Sequence, residues 1–199
     1  MKIAESFLTL VKRASTDLDV EKIRADVRAF SLRHADLPTR EKARRMIEST
    51  ARKAAFVGAA ASAPPGWAGL AATAPELSTL IVLQSRLIVG LHLLYGTELP
   101  QEERALEVVA GLAAGAGLSV GRRLTVRLAE ELATRLAARA AGRAVAHLVP
   151  VAGMAASAAL NYGAVRAVGR AVLARIEERW GPPEIPGRGP VLHAEGRVA

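Results

Sequence analysis

The chain contains no cysteine, which removes a disulfide framework, a thiolate metal site and a cysteine nucleophile together. Aromatic residues make up only 4% of it, so the 51% hydrophobic share is carried mainly by Ala, Leu and Val, a mixture that favours helices over strands. Strong β-formers nowhere gather into alternating runs bounded by turn residues, and no strand is predicted. The expected fold class is therefore all-α: a single multi-helix bundle with apolar central helical hairpins and one basic amphipathic helix. Lysine is absent after Lys53 and arginine carries the positive charge from there on. The totals, 27 Lys plus Arg against 19 Asp plus Glu, give a net charge of +8. That excess points to anionic partners such as lipid head groups or nucleic acid, or to an Arg-rich genome composition. The opening MKIAESFLTLVKRASTDLD is interrupted by Glu5 and has no small-residue cleavage site, so it does not read as a secretory signal. A cytoplasmic protein, peripheral to the inner face of the cell membrane, is the expectation.

What is present begins with a 22-residue stretch without charge, Ala54 to Pro75, broken at its centre by Pro64, Pro65 and Gly66. Prolines remove backbone donors and block a continuing helix, so two apolar helices folded back on each other fit this stretch better than one straight span. Before it, Ile3, Phe7, Leu10, Val11 and Ala14 recur at helical spacing, and Thr16 to Asp19 reads as a capping box opening a second helix to about Arg33. Pro38 and Thr39 start a third helix, charged through Lys53 and apolar after it, whose first half is expected to be solvated and whose second half enters the core. Thr73, Pro75 and Glu76 launch a strongly apolar helix, Leu77 to Tyr95, ended by Gly96. Further helices are predicted from Gln101 to about Leu118, from Ser119 to Arg143, and from Pro150 to Trp180. The domain reading is one helical unit over 1–180, with N-terminal amphipathic helices in 1–37 and the core in 38–180, followed by a disordered Pro/Gly-rich tail, 181–199. Gly111, Gly115, Gly117 and Gly121 sit in or beside one helix, where interior glycine costs about 1 kcal/mol relative to alanine. A hinge or a close helix approach would account for them.

Leu77 to Tyr95 has the length of a membrane span but carries Gln84, Arg86 and His92. Its eleven Leu, Ile and Val residues contribute roughly −3 to −7 kcal/mol to insertion, and a central Arg alone costs about +2.5 to +3.5. Insertion comes out near balance. The alternatives are a soluble bundle with a helix buried on all sides, or a protein that lies against a bilayer. The stretch SVGRRLTVRLAEELATRLAARAAGR supports the second, because Arg122, Arg123, Arg127, Arg135, Arg139 and Arg143 accompany a leucine stripe at four-residue spacing. These six are the candidate contacts to an anionic membrane surface. A solvated face laced by Glu–Arg pairs is the competing account. No base-edge readers or stacking aromatics accompany the arginines, so nucleic acid is not expected. Gln84 and Asn161 lie on helices that should be buried. A contact between them would satisfy both amides and fix helix register, and this is preferred to a ligand site. A protein partner or a second copy of the chain is a further candidate, and no small-molecule substrate is identified.

Catalytic patterns are weak. Gly117-Leu118-Ser119-Val120-Gly121 matches the nucleophile-elbow spacing, but that motif needs a strand-to-helix turn and here follows Ala-rich helix, leaving a Ser119 hydrolase as a remote alternative. His34, His92, His147 and His193 share no metal-ligand spacing, and no metal or other cofactor is implied. The reading is of a non-enzymatic protein.

The Pro75-Glu76 helix start, Gln84, the string LHLLYG from Leu91 to Gly96, the PQEER opening at Pro100 to Arg104, the Pro150 and Gly153 helix entry, and Asn161 followed by Arg166 to Ala171 together resemble the EcsC family. The similarity covers about residues 50 to 180, and the same segment is similar to the helical domain of YcjF-type GTPase-associated proteins, without any GTPase motif here. The resemblance implies a bacterial, largely helical, membrane-associated accessory or scaffold protein, linked by family name to an operon for an ABC exporter. It supplies Gln84, Tyr95, Gly96, Asn161 and Gly169 as matching positions and no catalytic residue. The alternative function is a soluble helical protein-interaction module.

Overall fold

The computed structural model describes residues 2–61, 73–118, 131, 134–135 and 150–181. It is all-α: six helices pack together, and no strand occurs among the described residues. They are α1 (Lys2–Thr16), α2 (Val20–Arg33), α3 (Thr39–Ala61), α4 (Thr73–Leu94), α5 (Gln101–Gly115) and α6 (Pro150–Trp180). The Pro64–Gly66 turn, most of the 119–149 segment and the tail beyond Gly181 lie outside the described residues.

Local chemistry sets the helix ends. Asp19 is the N-cap of α2, its Oδ1 accepting from the Lys22 amide at 2.9 Å. The cap is thus Asp19 and not Thr16, whose hydroxyl turns back to the Lys12 carbonyl at the end of α1. Pro38 precedes α3 and its carbonyl accepts from the Glu41 and Lys42 amides. α4 and α5 end in the same way. The Thr97 amide bonds the His92 carbonyl and the Gly96 amide the Leu93 carbonyl, with Gly96 at φ +72°. At the end of α5, Leu118 bonds Ala113 and Gly117 bonds Ala114, with Gly117 at φ +76°. Both are Schellman closures, and each needs a left-handed residue that glycine adopts without steric cost.

The most extensive contact is that of α3 along α6. Ala43, Ile47, Ala51, Ala54 and Gly58 form the buried stripe of α3, recurring every three or four residues. That stripe begins in the charged half of the helix, so the first half is not solely solvated; in the second half Phe56 is 76% exposed. Small residues bring the axes together. A Cβ on Gly169 would stand 2.7 Å from Ile47 Cγ1, and one on Gly58 would stand 2.7 Å from the Ser157 carbonyl and collide with Asn161 Nδ2. On the other side of α6, a Cβ on Gly115 would meet the Val168 backbone at 2.8 Å. Close approach therefore explains Gly111 and Gly115, and helix termination explains Gly117.

α4 is the central element, with Ile81, Leu87, Ile88, Val89 and Leu91 all at or below 3% exposure. Ile81, Leu87, Ile88 and Leu91 pack with Val11 of α1, Val108 of α5 and Val165, Val172 and Ile176 of α6. Each such side chain contributes about 1.5–3 kcal/mol by leaving water. A satellite cluster of Ile23, Val27 and Val89 seats α2 on α4. By length and composition Leu77–Leu94 is apolar enough to cross a membrane, and 56% of that window is buried inside the bundle.

Candidate functional site

Three features of the described bundle have chemistry beyond packing. The first is a basic face along α3 and α6. A groove of about 640 Å³ between them is lined by Arg40, Arg44, Arg45, Arg166 and Arg170 together with Glu41, Glu48 and Glu177. It runs through Arg45 and Glu48 into a second depression bearing Arg33, Arg52 and Lys53. Eight cations thus share the face with three carboxylates, a local excess of five positive charges. Several are paired: Arg40 Nε lies 3.1 Å from Glu177, Arg44 3.6 Å from Glu41, Arg52 3.4 Å and Arg166 3.6 Å from Glu48. Among the described residues no carboxylate pairs with Arg45, Lys53 or Arg170, all three exposed. Glu48 accepts from the Tyr162 hydroxyl at 2.6 Å. That bond above all, with the charges of Arg52 and Arg166, holds its carboxyl below the usual range. Phe56 projects from α3 one turn past Arg52 and Lys53, and Leu32, beside Arg33, is 78% exposed.

The second feature is a cavity of about 270 Å³ between α4, α5 and α6, with Gln84 and Asn161 on its walls. Both amides are buried, at 7% and 4% exposure. Gln84 forms no hydrogen bond with any described residue, whereas Asn161 has partners of its own. The two amides expected to satisfy each other thus both line one cavity.

The third is a polar cluster where α4, α5 and α6 meet. His92 is 6% exposed; its Nδ1 lies 3.0 Å from Thr97 Oγ1, and its Nε2 is 3.8 Å from Glu107 Oε1, too long for a hydrogen bond. Arg175 Nη2 donates to Glu107 Oε2 at 3.0 Å. Burial pushes the Glu107 carboxyl up, but His92 and the Arg175 and Arg179 charges outweigh it and hold the group below the usual carboxylate range. The hydroxyl, imidazole and carboxylate stand in a sequence reminiscent of a nucleophilic relay. The Thr97 hydroxyl, however, donates to the His92 carbonyl at 3.0 Å, as part of the closure of α4. That hydrogen bond leaves Nδ1–H to donate to the hydroxyl oxygen, which makes the arrangement a helix terminus and not an activated nucleophile.

Of the six arginines expected on the basic amphipathic helix, Arg122, Arg123, Arg127, Arg139 and Arg143 lie outside the described residues, as does Ser119. Arg135 is described: Nη1 donates to the Ala116 carbonyl and Nη2 to Glu131, each at 2.9 Å. It caps the carboxyl end of α5, where a cation also complements the helix dipole. Tyr95 donates to Glu177 Oε1 at 3.0 Å, and burial followed by that bond raises its pKa. The basic face was missed because its members come from three helices, and only a packed structure aligns Arg45 with Arg170. A signal was present in α3, which carries Arg40, Lys42, Arg44, Arg45, Arg52 and Lys53 against Glu41 and Glu48. Among the described residues no group of three or more His, Asp or Glu side chains is placed to hold a metal ion. Comparison with protein-family models, with curated proteins and with solved structures gives no match in any of the three.

Proposed function

We propose that this protein is a non-enzymatic, membrane-associated helical accessory or scaffold protein that docks on the anionic, cytoplasmic face of a bacterial membrane, in keeping with its EcsC-like residues. The observation that carries the reading is the α3/α6 face: an excess of cations, with Arg45, Lys53 and Arg170 free of carboxylate partners among the described residues and Phe56 exposed beside them. Each basic residue near an anionic surface adds about 1 kcal/mol, and an aromatic ring at the edge of a basic patch gives the apolar anchor that charge alone lacks. The arginines of 119–143 would extend the same surface chemistry.

Co-sedimentation with phosphatidylcholine vesicles, with and without phosphatidylglycerol, tests this. Binding is expected only with the anionic lipid and should weaken steeply between 50 mM and 500 mM salt. The triple change Arg45→Gln, Lys53→Gln, Arg170→Gln should weaken it about tenfold or more and flatten the salt dependence. Absence of binding at low salt would sink the membrane reading and leave a soluble protein-interaction module.

A further inference from the structure

The cavity between α4, α5 and α6 owes its volume to small residues. Gly163, Ala164 and Ala167 leave the space open, while Leu77, Leu80, Ile81 and Leu112 form apolar walls. An apolar molecule that filled it would gain dispersion contacts with the lining atoms. Into this space faces Gln84. Its side chain is more than nine-tenths buried, and its amide donates to and accepts from no described residue. It faces this space although its neighbours on α4, Leu80, Ile81, Leu87 and Ile88, are apolar.

We propose that this cavity binds a small neutral amphiphile, an aliphatic chain of about ten non-hydrogen atoms ending in an amide or hydroxyl group that pairs with Gln84. The size follows from the volume: a cavity of roughly 150 Å³ accepts a benzene-sized molecule, so one of about 270 Å³ takes a chain somewhat under twice as large. The head group follows from charge. No charged side chain among the described residues lines the cavity, so an ionised head would lose its hydration without gaining a counter-ion. A neutral group with a donor and an acceptor complements the Gln84 amide in both senses. Leu160 lines the cavity while remaining 49% exposed, which places it at the mouth. The site lies apart from the basic face and does not depend on membrane docking.

Octanamide and 1-octanol are suitable probes, with octane as the chain-only control. Titration of ¹⁵N-labelled protein should give saturable shifts in the Gln84 side-chain amide and in the α4 and α6 backbone around it. Octanamide should raise the melting temperature. Gln84→Leu should weaken octanamide about tenfold, the value of one buried hydrogen bond, while leaving octane binding unchanged. The proposal is overturned by absence of saturable shifts with either polar probe in the parent, by shifts mapping outside the cavity, or by Gln84→Leu binding octanamide as tightly as the parent. Equal affinity of the parent for octane and octanamide would equally overturn the role given to Gln84.

Discussion

Glu107 meets Arg175 at 3.0 Å and His92 at 3.8 Å with its side chain only 13% exposed. Its carboxyl titrates below the usual range because the neighbouring His92 and the charges of Arg175 and Arg179 outweigh the effect of burial. A carboxylate with a depressed folded-state pKa adds stability that is present above its unfolded value and is lost as pH falls through the folded one. Glu107→Gln should therefore destabilise the bundle by about 1–3 kcal/mol at neutral pH. The gap to the parent should close as pH drops below the ordinary carboxylate value of 4.5, measured by urea midpoints from pH 7 to pH 3. A gap independent of pH would mean that the charge of Glu107 contributes nothing. At this scale the sequence was informative about burial and uninformative about partnership. Gln84, His92 and Asn161 stand out as polar residues in apolar helices, and all three are buried. That His92 approaches Glu107, and Glu107 meets Arg175 from 68 positions away, depends on how three helices cross, and no local pattern records it.

At the scale of helices, local chemistry was legible wherever a single side chain or glycine decides the outcome. The start of α3 at Pro38-Thr39, the end of α4 at Gly96 and the span Pro150–Trp180 all follow from residues within one turn of the boundary. At the α1–α2 boundary the expected Thr16–Asp19 capping box resolves into a cap by Asp19 alone, which accepts from the Lys22 amide. Small residues four apart are common in so Ala-rich a chain and were therefore uninformative alone, yet Gly58 with Ser157, and Gly115 with Val168, mark true crossings of α6. The distinction is testable by adding one methyl group. Gly58→Ala must displace the Ser157 backbone or Asn161 and should cost about 1–3 kcal/mol. Gly163→Ala, on α6, meets nothing within 4 Å and should gain up to about 1 kcal/mol from helix propensity. Thermal unfolding of the two variants compares them directly. Equal effects would mean that α3 and α6 do not approach closely at Gly58.

For the whole molecule the governing question is where α4 resides. In the bundle its apolar side chains are buried against Val165, Val172 and Ile176, and Arg86 pairs with Asp26 at 3.2 Å. Moving α4 into a bilayer would exchange one apolar environment for another at little gain. It would also carry Arg86 into lipid at about +2.5 to +3.5 kcal/mol and expose the abandoned core residues to water at about 1.5–3 kcal/mol each. Retention in the bundle wins by a wide margin, so attachment to a membrane should be electrostatic and confined to the surface. Membranes from cells expressing the protein should then release it on washing with 1 M salt, where the screening length shrinks to about 3 Å, without detergent. The released protein should keep its helical circular dichroism and its melting temperature. If it resisted both high salt and alkaline washing and came off only in detergent, α4 or the uncharged Ala54–Pro75 segment would lie within the bilayer, and the surface-docking account would fall.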